Sequence, residues 1–104
     1  MWRQAVRDEP NPTRELFDAA AKGYSIKLTC RGCRRSRTLH SAAVWHHFSS
    51  RGFSEWLRDV PKRFRCRVCG RRAPEMDLSY DQPNDTSLPL PSDQEWKREL
   101  RRRR

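Results

Sequence analysis

Two Cys-x-x-Cys pairs constrain this chain more than any other feature: Cys30-Arg31-Gly32-Cys33 and Cys66-Arg67-Val68-Cys69. Two residues between cysteines let one tight turn aim both sulfurs at the same ion. Two such turns complete a tetrahedron of four thiolates, the closed geometry of a structural zinc site. The flanks repeat as well, with Leu28-Thr29 leading into the first pair and Phe64-Arg65 into the second, so each copy reads as a strand entering a knuckle. Gly32 and Gly70 are expected to let the backbone bend so that amides point at sulfur. Basic neighbours offset the two net negative charges of a zinc tetrathiolate. A redox dithiol competes weakly, because it would open a helix after a strand. Disulfides and an iron–sulfur cluster compete as weakly.

A metal matters here because apolar residues are scarce. Leu, Ile, Val and Phe number 17 of 104, and the formal net charge is +10. That combination is close to the composition of disordered chains. The shortage eases over 24–80, where 11 of 57 residues are of these four types and all four cysteines lie. No apolar run approaches the roughly 20 residues of a membrane span, so no membrane partner is expected. The first ten residues hold no apolar stretch of leader type, so the expected compartment is a reducing cytoplasm, where thiols persist.

The charge is located. Residues 22–72 carry fourteen basic and two acidic side chains, residues 73–96 carry six acidic and no basic ones, and residues 97–104 carry six basic and one acidic. Of the 23 basic residues, 19 are Arg, whose planar fork suits bidentate contact with phosphate and guanine edges. Arg31, Arg34, Arg35 and Arg37 surround the first knuckle, and Arg63, Arg65, Arg67, Arg71 and Arg72 the second. If the knuckles meet at a metal, these nine are expected to form one continuous nucleic-acid-binding patch. The acidic stretch is expected to fold over that face and weaken non-specific binding.

Period and punctuation give the elements. Asn11-Pro12 opens a helix over about 12–22, stopped by Gly23. Tyr24, Ile26, Leu28 and Cys30 alternate as a strand, with Arg37-Thr38-Leu39 as its hairpin partner. Ser41 caps a helix to Ser50 that ends at Gly52, and Ser54 caps a second, over about 54–60, halted by Pro61. Strands are expected at Phe64–Cys66 and again around Met76–Tyr80. Residues 81–91, with three prolines, read as an extended linker. Ser92 and Glu95 form a capping box for a short helix whose Trp96 and Leu100 lie on one face and which runs into the arginine tail. Trp45 and Trp56 are assigned to the core.

At the four cysteines the sequence resembles the zinc-ribbon class, in particular small, uncharacterised bacterial four-cysteine zinc-ribbon proteins. The resemblance covers roughly 24–80 and implies knuckles on β-hairpins around one structural Zn²⁺ held by Cys30, Cys33, Cys66 and Cys69. The usual gap between pairs is about 15 to 20 residues, whereas 32 separate Cys33 from Cys66 here, room for two inserted short helices. The expected fold is therefore a small α+β, zinc-ribbon-like domain. An N-terminal arm and helix over 1–23 would precede the core at 24–80. The linker at 81–91 and a basic helix and tail at 92–104 would follow it.

No enzyme is expected. Four thiolates leave no open metal position for water, His40, His46 and His47 have no triad partners, and the acidic residues lie in a polar stretch, so neither a catalytic group nor a small-molecule substrate is indicated. The expected function is a zinc-stabilised, non-catalytic module binding DNA or RNA, as an accessory subunit of a nucleoprotein complex. One alternative is a protein-interaction adaptor that docks a larger partner through the zinc platform and the 92–104 helix, with Trp96, Leu100, Arg101 and Arg102 as its contacts. A small inhibitor of a nucleoprotein machine is a further one.

Overall fold

β1 (Ser25–Thr29) is the centre of the molecule, because its alternation puts Ile26 and Leu28 on one face. In this computed structural model, which describes residues 13–103, β2 (Ser36–His40) and β3 (Glu75–Ser79) flank it in an antiparallel sheet of order β2-β1-β3. Ile26 sits opposite Leu39 on one side and Leu78 on the other. Those three side chains make the sheet's share of the core.

Helices cover that face. α1 (Leu16–Ala21) and α2 (Ser41–Arg51) supply Leu16, Phe17, Val44, Trp45 and Phe48, all buried. Both close on glycine through the same pair of bonds. The Gly23 and Tyr24 amides donate to Ala20 and Ala19, and the Gly52 and Phe53 amides donate to Ser49 and Phe48, with Gly23 and Gly52 in the left-handed region. A 3₁₀ helix (Leu57–Arg63) adds Leu57 and Val60. α3 (Asp93–Arg102) completes the fold. Its capping box forms in both directions, with Ser92 N donating to Glu95 Oε1 at 3.0 Å and Glu95 N to Ser92 Oγ at 3.2 Å.

Several expectations are corrected. The first helix begins at Leu16, not 12, because the backbone before it is used elsewhere: Leu57 N donates to Arg14 O at 2.8 Å and Leu16 N to Glu55 O at 2.9 Å. Asn11 and Pro12 lie outside the described residues. Ser41 is no cap. β2 runs directly into α2, so Ser41 is the first helical residue and its buried hydroxyl donates to the Tyr24 carbonyl. The second inserted helix is a 3₁₀ helix that continues through Pro61, whose carbonyl accepts from Phe64 N at 3.1 Å. Trp56 is 44% exposed, under Arg58 at 5.7 Å. Its backbone, not its ring, serves the fold, in the bridge with Glu15. Phe64–Cys66 forms no strand, only the single bridge Arg65–Arg72.

The core also draws on residues beyond 24–80. Trp96 stacks on Phe17 with ring centroids 4.6 Å apart and meets Trp45 edge-on at 5.7 Å. The 81–91 segment lacks regular structure, yet Leu88 packs against the core.

Candidate metal centre

The two knuckles have one conformation. In the first, Cys30 N donates to Arg35 O at 2.8 Å and Arg34 N to Cys30 O at 3.1 Å. In the second, Cys66 N donates to Arg71 O at 2.9 Å and Gly70 N to Cys66 O at 3.0 Å. The fifth residue of each is left-handed, Arg34 at φ 63° and Gly70 at φ 77°. Gly32 therefore has another job than the expected bend. A Cβ there would meet Arg71 Cδ at 3.3 Å, Cys69 Sγ at 3.7 Å and Cys30 Sγ at 3.8 Å. Its missing side chain lets the first knuckle close on the second.

That closure brings the four sulfurs within 4.8 Å of one another. Cys30 and Cys69 are 3.4 Å apart and Cys33 and Cys66 3.5 Å, far beyond the roughly 2.05 Å of a disulfide. Four sulfurs about 2.3 Å from one ion would lie about 3.8 Å apart, so the cluster has the dimensions to hold one metal ion. The donor chemistry agrees. The amides of Cys33 and Gly32 hold the Cys30 thiol below its ordinary value. The amides of Cys69 and Val68 lower Cys66 to about 6. At Cys33 the Arg35 amide works in the same direction, but desolvation and the neighbouring thiols outweigh it and push the group up to about 11. Such crowding resists four simultaneous thiolates unless a cation sits among them.

The nine arginines distribute around this cluster. Arg35, Arg37, Arg65 and Arg67 gather on one cleft beside Cys30 and Cys66. Arg31 turns the other way, donating to Ala73 O at 3.1 Å and lying beside Lys62 and Arg58. Arg34 is 3.7 Å from Glu75, Arg63 lies over the Phe53 ring at 4.0 Å, and the Arg71 stem rests against Gly32. Arg72 bridges Arg65 through its backbone. All but Arg37 are exposed; Arg37 is held 3.1 Å from Asp85 and over the Phe64 ring.

The expected approach of the acidic stretch to the basic face takes a specific form, and a second feature was not anticipated. The acidic segment is a strap on the edge of β2: Thr38 N donates to Asn84 Oδ1 at 2.9 Å, and the Asn84 and Asp85 amides donate back to Thr38 O at 2.9 and 3.0 Å. Asp85 thereby reaches Arg37 and, at 3.8 Å, Arg67. Burial opposes its ionisation, but Ser87 and Arg37 outweigh this and keep its carboxyl below the ordinary range. The second is Arg103, read from sequence as tail. It contacts Glu99 at 2.6 Å, Glu15 at 3.0 Å and Glu55 at 3.5 Å and lies over the Phe17 ring at 4.4 Å. The Glu99–Arg103 spacing of four residues on a helix was the one legible signal. Trp96, a candidate partner contact, is engaged in the chain's own core; Leu100 is 37% exposed, and Arg101 and Arg102 are exposed, the latter 2.8 Å from Glu99.

No family model, curated protein or solved structure matches this chain. Among the described residues no helix is long and apolar enough to cross a membrane.

Proposed function

We propose that the protein is a zinc-stabilised, non-catalytic nucleic-acid-binding module, zinc-ribbon-like in its paired knuckles, acting as an accessory part of a nucleoprotein complex. The metal is read as zinc because four closed thiolates with no open position suit a structural zinc ion. The observation that carries the reading is the cluster of exposed arginines, Arg35, Arg65 and Arg67, beside Cys30 and Cys66 of the four-sulfur centre. Guanidiniums gathered beside such a centre neutralise phosphates and release counterions.

Fluorescence anisotropy of labelled DNA and RNA against salt tests it. With about five phosphates engaged, log affinity should fall against log salt with a slope near −4 to −5 on duplex and somewhat shallower on single strands. A flat slope, or no binding to any nucleic acid at low salt, refutes it. The adaptor reading loses its main anchor, since Trp96 stacks on Phe17 and Trp45.

A further inference from the structure

The cleft between the two knuckles differs from the rest of the basic surface. Its floor is apolar, formed by the buried Leu28 and Pro74 with Val68 at the mouth, and around it lie Arg35, Arg65 and Arg67 with the half-buried Arg37. Its volume is about 180 Å³. A cavity of roughly 150 Å³ accepts one benzene ring, whereas drug-sized ligands take about 300 Å³ or more. The space therefore suits one flat ring. Val68, 63% exposed at the tip of the second knuckle, offers apolar surface at the mouth where a soluble chain would ordinarily place a polar residue.

A surface that bound only phosphates would have no use for such a floor. A base paired in a duplex cannot enter it, because its faces are stacked and its edge alone is presented. An unstacked base can, with its ring on Leu28, Val68 and Pro74, its face against an arginine plane, and its flanking phosphates on the guanidinium rim. We propose that this cleft takes one unstacked nucleobase of a single-stranded nucleic acid. The inference rests on the nucleic-acid reading above and adds strand selectivity to it. The shared chemistry is a base with flanking phosphates, supplied by DNA or RNA.

The test uses the full, zinc-loaded chain and three labelled ten-nucleotide probes at fixed salt. One is a fully abasic strand, one carries a single central thymine or uracil in an abasic strand, and one is a duplex. The base-bearing strand should bind about tenfold tighter than the abasic one, with the same salt slope, and tighter than the duplex. Either sugar showing that gain supports the site, and the larger gain names the source. Val68→Ser removes apolar surface from the cleft at a position 63% exposed, where the fold does not depend on the side chain. It should diminish the gain at unchanged zinc content and slope. Equal affinity of base-bearing and abasic strands overturns the inference while leaving the arginine surface standing. Tighter duplex binding, or a gain that persists undiminished in Val68→Ser, also overturns it. Failure of every probe to bind overturns both readings.

Discussion

Arg34 and Gly70 occupy the same left-handed position in two knuckles of one conformation, at φ 63° and φ 77°. Only one of them is a residue suited to it. A Cβ at Gly70 would touch nothing within 4 Å, so Gly70→Ala isolates the backbone cost and is expected to lower stability by about 1 kcal/mol. Arg34→Gly relieves that cost and gives up only an exposed contact to Glu75, so it should raise stability by up to about 1 kcal/mol. Urea midpoints of the zinc-loaded variants decide. A drop for Arg34→Gly would contradict the assignment.

Cobalt titration tests the four-sulfur centre directly. One equivalent should produce the intense visible absorption of a tetrahedral tetrathiolate and be displaced by zinc. Cys66→Ser and Cys30→Ser should each lose tight binding. Chelation should open the segments around both knuckles to hydrogen exchange first, because they have little apolar burial of their own, with β1 and α2 protected longer.

Arg103 faces three carboxylates, so Arg103→Ala leaves Glu15, Glu55 and Glu99 close together without their shared cation. The expected loss at neutral pH is about 1 to 2 kcal/mol, since the arginine is 29% exposed. Glu99 is held below the ordinary range, first by its bonds from Arg102 and then by Arg103. A group with a depressed folded pKa contributes stability that is complete above its unfolded value near 4.3 and lost as pH falls through the folded one. Glu55, raised chiefly by burial, runs the other way. Thermal midpoints of the two proteins should therefore converge on acidification from pH 6 to pH 3. A constant difference would mean that Arg103 acts by packing on Phe17 alone.

On the proposed nucleic-acid reading, Asp85, 3.1 Å from Arg37 and 3.8 Å from Arg67, is a competitor of phosphate for both. Asp85→Asn keeps the shape of the strap and frees both guanidiniums, so affinity for a single strand should rise several-fold at low salt and the slope should steepen by about 1. Unchanged binding would show that neither arginine touches the nucleic acid.

The cysteine spacing, the period of β1 and the capping box at Ser92 carried their structures openly, because each is a local rule satisfied within a few residues. What stayed hidden depends on distant partners. Nothing near Glu15 or Trp56 announces that their backbones pair, which is why the first helix starts late and the Trp56 ring is left outside. The polar, proline-rich run at 81–91 read as a spacer, although Asn84 is spaced to complete the hydrogen bonds of Thr38. Gly32 was recognised as special for the wrong reason: its smallness serves approach to Cys69, while the bend falls on Arg34.

The strap on β2 has a bearing on how this protein coexists with its own copies. A three-stranded sheet has two outer strands, and each is a template for strand addition by a neighbouring molecule. On one side Asn84 and Asp85 already occupy the Thr38 amide and carbonyl. On the other, β3 places Glu75 and Asp77 along its length, where a second copy would bring the same carboxylates close to them. One edge is capped by the chain itself and the other carries acidic side chains, and both features disfavour strand addition by a second copy.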